Sequence, residues 1–306
     1  MTVRYVRPIS HSAYAARRIA LAALLLFVLA TLGHRFGPLR TPDFLALLLV
    51  SAAIAAAAVP LSLLGLMRLW QKGAEGGLAS AKALIYAAIP IAVVAAGAVP
   101  YLTRPALHEV TTDTEDPPLF LTEPDYDQEW LRGRTAPTLA DRRAQIGAYP
   151  GLTGRRYEGA LDRVLEGVEA AALSSRITLQ TRDEEDPDAS QEPGDAPADE
   201  GVAFPLPQSV PVPLPRPGPR PTLEELPAAN ELLPTRGELL LQGEARTFFL
   251  GLPFDVVIRL REDEETTSVD VRIASRYGAH DLGLSAEIAE DFLDRLDAEL
   301  LGIAGG

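Results

Sequence analysis

A chain of 306 residues that is 47% hydrophobic yet carries a net charge of -14 combines two properties that rarely share one surface. They separate along the chain: residues 1–104 hold ten Lys or Arg against Asp43 and Glu75, whereas residues 105–306 hold 18 basic and 40 acidic side chains. Such asymmetry implies two physical environments, an acidic second half excludes the cationic surface on which nucleic-acid binding rests, and the absence of cysteine excludes disulfides, thiolate metal sites and a cysteine nucleophile.

The basic part reads as membrane. Transmembrane helices are expected at about 18–34, 44–67 and 83–103, because an uncharged apolar run of about 20 residues crosses a hydrocarbon core as helix. The first run, Ile19 to Gly33, is short, but Arg17, Arg18 and Arg35 can extend their charges to the two interfaces. Its alternative is the core of a signal peptide. Two further apolar segments follow directly and no small-x-small cleavage site precedes a polar start, so a retained helix is expected. Arg4, Arg7, Arg17 and Arg18 precede the first span and Arg68, Lys72 and Lys82 lie between the second and third, against only Arg35 and Arg40 in the intervening turn. The positive-inside bias therefore puts the N-terminus in the cytoplasm and everything after Arg104 in the periplasm of a bacterial inner (plasma) membrane. No ionisable residue lies within the spans proper, which disfavours an ion or proton path.

Beyond the spans, residues 105–180 read as the first part of a domain, 181–236 as an insertion and 237–306 as the second part. Tyr157 to Leu173 places Leu161, Val164, Leu165, Val168 and Ala172 on one helical face, and Arg176 to Gln180 reads as a strand. The insertion holds 13 of the 26 prolines and 12 acidic residues, a composition expected to be disordered or extended, with "PVPLPRPGPRP" either a stiff tether or a polyproline II ligand. Strands are expected at Glu238–Arg246, Phe254–Arg261 and Ser268–Ser275, as antiparallel neighbours. Val256, Ile258 and Leu260, with Val269, Val271 and Ile273, point to the core, and Asp255, Arg259, Asp270 and Arg272 point to a charged face. Ser285 is expected to cap a closing helix with a buried stripe of Ile288, Phe292, Leu296 and Leu300. The fold class is thus an α+β extramembrane domain, a mainly antiparallel sheet with two helices on one face, preceded by three transmembrane α-helices.

Two polar constellations stand out, "HEVTTDTEDPPLF" at 108–120 and the segment holding Arg272, Ser275, Arg276, His280 and Asp281. A hydrolase would use Ser275 as nucleophile, His280 as base and Asp281 or Asp113 as orienter, although Ser275 lacks a G-x-S-x-G elbow. A metal site would draw on His108, Asp113, Asp116 and His280. A structural account instead makes Asp255, Arg259, Asp270 and Arg272 cross-strand ion pairs, Asp113 and Asp116 turn caps, and Gly278 and Gly283 left-handed positions.

The segments "HEVTTDTEDPP", "AYP" at 148–150, "FDVVIRL" at 254–260 and "VDVRIASRYGAHDLGLSAEIAEDFL" at 269–293 resemble the domain of unknown function 1499 family, across nearly all of the chain except the Pro-rich insertion. Against the family pattern Arg-Ser-x-Ser-Arg followed by Asp-x-Gly-x-Asn, the chain keeps Arg272, Ser275, Arg276, Gly278, Asp281 and Gly283 and departs at Ile273 and Ser285. The resemblance implies a membrane-linked domain and brings no activity with it. The function expected is an inner-membrane-anchored envelope protein whose periplasmic domain binds a ligand through Thr112, Asp113, Asp116, Arg272, Ser275, Arg276 and Asp281. The alternative is a membrane-anchored hydrolase using Ser275, His280 and Asp281, or a metal site near His108 and Asp113. No cofactor and no nucleic acid are expected; the bilayer and an envelope protein are the expected partners.

Overall fold

In the computed structural model, residues 9–122, 126–180, 238–300 and 302 are described. Three long helices come first, α1 (His11–Phe36), α2 (Thr41–Lys72) and α3 (Gly77–Thr103), each apolar and long enough to cross a membrane. Their shared seam is alanine: Ala16, Ala20 and Ala23 on α1 meet Ala55 and Ala58 on α2 and Ala83 and Ala87 on α3. Small side chains let helices approach closely where lipid offers no hydrophobic gain to larger ones, while Leu21, Leu25, Leu29 and Leu32 face outward. Ser62 adds a hydroxyl bond to the Ser80 carbonyl at 2.8 Å. The helices extend beyond the uncharged runs at their ends, because charged side chains are tolerated at the interfaces. This is a membrane-anchored protein.

The remainder is built on an antiparallel sheet. Its strands are β1 (Glu109–Thr111), β2 (Arg155–Glu158), β3 (Ile177–Leu179), β4 (Glu238–Arg246), β5 (Pro253–Glu262) and β6 (Thr266–Ser275), in the order β1-β6-β5-β4-β3. β2 shares the outer edge of β6 with β1, taking Thr266 to Val269 while β1 takes Arg272 to Ala274. β3 pairs with β4 (Ile177 opposite Ala245, Leu179 opposite Gly243), so the strands on either side of residues 181–237 are neighbours. The Pro-rich segment itself, and the expectation of its disorder, lie outside the described residues.

Helices α5 (Leu161–Ser174) and α6 (Leu284–Leu300) cover one face. Val164, Val168, Ala171, Phe292, Leu293 and Leu296 pack there on Val256, Ile258, Leu260, Val269, Val271 and Ile273, the apolar set read from the alternation. Two details differ from expectation. The helix expected from Tyr157 begins only at Leu161: Gly159 has φ 134°, and Tyr157 lies in β2 opposite Thr267, its hydroxyl donating to Asp297 at 2.6 Å. Nor does the Ser285 hydroxyl cap α6, since its oxygen is buried without a partner among the described residues. Asp281 does so, accepting from the Gly283 and Ser285 N–H groups at 2.8 and 3.2 Å; a carboxylate at a helix N-terminus is the stronger acceptor.

A short helix, α4 (Leu139–Ala148), closes the edge beside β1. It starts with a reciprocal capping box between Thr138 and Asp141, and its Gln145 amide bonds both the N–H and the carbonyl of Thr111.

Candidate functional site

The charged face of the sheet is not open to water. Asp255, Val257, Arg259, Asp270 and Ala274 are all buried, because residues 112–122 and 126–138 run across them as a strap. Pro118 accepts from Arg272 through its carbonyl at 3.1 Å, Thr122 pairs its N–H and carbonyl with the Gln242 amide at 3.1 Å each, and the Gln128 amide bonds the Arg276 carbonyl and the Gly278 N–H. Buried charges require such partners, since desolvation costs more than a lone contact returns.

Three arginine nodes result. In the first, Arg259, with only 3% of its surface exposed, reaches Asp116 at 2.9 Å, Asp113 at 3.0 Å and Asp270 at 3.2 Å, and Arg261 joins the same three carboxylates. Asp113 also accepts from the Glu115 and Asp116 N–H groups. Burial opposes charge on its carboxyl, but these two N–H groups with Arg259 and Arg261 outweigh it and hold its pKa below the usual value. Thr112 accepts from the Val271 N–H at 2.9 Å and donates to Asp270 at 3.3 Å. In the second node Arg272 bonds Glu109 at 2.7 Å, which also takes Arg142 at 2.6 Å, while the Phe120 ring lies 4.5 Å from the guanidinium. In the third, Arg276 pairs with Asp255 at 2.8 Å and with Glu244, over the ring of Tyr126 at 4.7 Å. Burial works against that charge, yet the hydrogen bonds that Arg276 donates to the two carboxylates raise its pKa.

The residues nominated from sequence therefore fall into separate groups. Thr112, Asp113 and Asp116 belong to the Arg259 node; Arg272 and Arg276 anchor two others. Ser275 donates its hydroxyl to the Tyr277 carbonyl at 3.4 Å, its N–H bonds the His108 carbonyl and its carbonyl accepts from Arg134. Asp281 caps α6. His280 accepts from the Leu282 N–H through Nδ1 at 3.0 Å and stacks on Tyr101 at 4.9 Å. Ser275, His280 and Asp281 thus bond to different partners, not to one another. Nor do the histidines and carboxylates suggested for a metal assemble: among the described residues no cluster of three or more His, Cys, Asp or Glu could hold an ion.

Of the cross-strand pairs expected, only Arg259 with Asp270 forms, being directly opposite in register; Arg272 turns to Glu109 and Asp255 to Arg276. Glu109, Glu244 and the strap residues Phe120, Tyr126 and Gln128 were missed. The alternation of Gln242 with Glu244 in β4 was the available signal for that face.

A second set of contacts fixes the domain to the helices. Arg104, just past α3, donates to the Leu282 carbonyl at 2.9 Å and pairs with Glu287 at 2.9 Å. Gly283 has φ 75°, and a Cβ there would strike the Arg104 guanidinium and the Tyr149 hydroxyl. On the other side His34 bonds the Leu250 carbonyl at 2.7 Å and Thr41 at 3.0 Å, and Arg35 donates to the Thr247 carbonyl at 3.3 Å. Within the domain, beside β1 and α4, a cleft of about 220 Å³ opens a few residues after α3, lined by His108, Arg132, Thr135, Asp141, Arg142 and Gln145 among others. Burial is the main cause that lowers the His108 pKa, which Glu109 partly opposes.

Residues 213–296 match the family described as protein of unknown function (DUF1499). The matched span holds β4, β5, β6 and most of α6, with Arg259, Asp270, Arg272, Arg276 and Asp281; the 108–120 segment that supplies their partners lies outside it. No curated protein and no solved structure matches the chain.

Proposed function

We propose that this chain is a DUF1499 member and a bacterial inner-membrane protein with a cytoplasmic N-terminus, whose domain after Arg104 is periplasmic and works as a membrane-docked binding module. The observation that carries the reading is the cleft beside β1 and α4, lined by Arg132, His108, Asp141 and Arg142 and starting a few residues after the end of α3. In this reading Thr112, Asp113, Asp116, Arg272, Ser275, Arg276 and Asp281 form the frame of the site. The ion pairs of Asp113 and Asp116 with Arg259, and the bonds of Arg272 to the Pro118 carbonyl and of Gln128 to the Arg276 carbonyl, fix the strap that carries Arg132. The ligand is a small polar group or a polar part of a partner reached from the membrane surface. Division into an anchor (1–104), a domain in two parts (105–180 and 237–306) and an insertion (181–236) belongs to the same proposal.

Two measurements test it. A reporter fused after Gly306 is active in the periplasm; activity in the cytoplasm overturns the topology. Native mass spectrometry of the full-length protein released from membranes finds an adduct that is lost in Arg132→Glu and His108→Gln while thermal melting is retained. No adduct on the wild type, or equal retention in both variants, overturns the binding reading.

A further inference from the structure

The turn between β4 and β5 ends in a feature that neither the core nor the cleft uses. Phe248 is 58% and Phe249 80% exposed, and they touch each other edge to face at 4.9 Å. Two adjacent phenylalanines left in water forfeit burial worth about 1.5–3 kcal/mol each. Their neighbours Leu250 and Leu252 are not in water: both pack against the cluster of Ala30, Phe44 and Leu48 on α1 and α2. Ala30 and Leu48 lie five residues inward from Arg35 and Asp43, the first charged positions on those helices, which at 1.5 Å per residue is about 7 Å. The turn thus reaches the level at which the helices first carry charge, where His34 and Arg35 bond it.

It is held there from both sides. The His34 ring donates to the Leu250 carbonyl at 2.7 Å, and Arg35 bonds the Thr247 carbonyl. The turn is closed by its own bonds, Thr247 N–H to the Leu252 carbonyl at 3.1 Å and Leu252 N–H to the Thr247 hydroxyl at 2.9 Å, so few of its backbone groups need water. Other aromatics occur at a similar height. Trp130, 55% exposed, follows Glu129, which pairs with Arg40 at 3.2 Å, and Tyr101, 60% exposed, lies in the last turn of α3. Aromatic rings concentrate at the border of headgroup and acyl chain.

We propose that the β4–β5 turn is a lipid-inserted element, with Phe248 and Phe249 immersed among the upper acyl chains of the leaflet on the domain side, and with Trp130 and Tyr101 completing an aromatic collar. Phosphate headgroups pair with Arg35 and with Arg176, whose guanidinium lies 4.6 Å from the Phe248 ring. The bilayer is favoured over a protein as occupant because Leu250 and Leu252 seat the turn against the apolar ends of α1 and α2, beside the exposed Leu29 and Leu32 of α1. The domain is thereby held at a fixed height and tilt on the membrane. This rests on the reading that α1 to α3 span the bilayer.

The chain has no cysteine, so single labels can be placed without background. Phe249→Cys, Leu29→Cys on the outward face of α1 and Glu264→Cys in the turn between β5 and β6 are each labelled with an environment-sensitive fluorophore in the full chain. The proteins are reconstituted in phosphatidylcholine–phosphatidylglycerol vesicles with or without nitroxide on the upper acyl chain. Position 249 is expected to show the blue-shifted emission of position 29 and comparable loss of intensity with nitroxide lipid, while position 264 shows neither. If position 29 is embedded and position 249 behaves like 264, the insertion is refuted and the spanning reading stands. If position 29 is itself aqueous, the spanning reading fails. A blue shift at 249 without quenching by lipid means that protein covers the turn, which also refutes the proposal.

Discussion

Replacing Arg259 with Met tests whether the strap is held by a buried ion lattice. The side chain is 4% exposed and bridges strap and sheet: Asp113 and Asp116 belong to one, Asp270 to the other. Removing one partner of a buried pair costs about 3–5 kcal/mol, because the remaining charges stay desolvated. Here Arg261 still reaches Asp270 at 3.0 Å and Asp113 at 3.3 Å, which puts the loss at the lower end, about 3 kcal/mol. For a domain of this size 1 kcal/mol moves Tm by about 2–4 °C, so a fall of about 6–12 °C is expected. Arg259→Lys keeps charge but not the planar fork and should fall between the two. The assay is thermal melting of the full-length protein in detergent, followed by circular dichroism. A shift below about 2 °C would refute the reasoning, since it is what a solvated surface pair yields. High salt separates the cases further, because exposed pairs are screened and buried ones are not.

The same node sets an acid limit. Asp113 has a folded-state pKa below its ordinary 3.8, so its contribution is complete above pH 3.8 and is lost as pH falls through the depressed value; the loss should be smaller in Arg259→Met, as read from melting between pH 5 and 2 (about one unit above 3.8 to two below). His108 has the opposite charge logic: its pKa lies below 6.5, the unfolded chain takes up the proton first, and stability falls as pH drops below 6.5. His108→Gln should flatten that part of the melting profile, and an unchanged profile would show that burial does not govern this imidazole. Asp281→Ala removes both acceptors at the start of α6 and should cost about 1–2 kcal/mol, with Asp281→Asn recovering part of it, as measured by denaturant unfolding. Replacing Asp183 to Pro234 with a short Gly-Ser linker should leave cooperative melting intact, since β3 and β4 are already paired and loop closure changes by only about 1–2 kcal/mol; loss of cooperativity would mean that the Pro-rich run packs on the domain.

Local chemistry was enough to define the spans, the three long strands and the closing helix. An uncharged run of 20 residues has one stable form in lipid, and Val256, Ile258 and Leu260 alternate with Asp255 and Arg259 because a strand sends successive side chains to opposite faces. Tyr157 escaped because its pairing with Thr267 and its bond to Asp297 come from residues over 100 positions away, and Gly159 marks the break only once that strand is known. α4 escaped because its ten residues carry little apolar periodicity; Gln145 and Thr111 hold it to the edge strand instead. The polar constellations were legible as residue types and opaque as chemistry. Sequence placed Ser275, His280 and Asp281 within seven positions, but a carboxylate is committed by whichever donors surround it. Asp281 found the N-terminus of α6, Asp113 found two arginines and two N–H groups, and Arg272 found Glu109, 163 positions away. The strap accounts for this difference. It has no periodicity of its own, and only the tertiary structure lays it over the charged face, turning a surface that looked like a binding patch into a buried lattice and moving the open cleft to its edge.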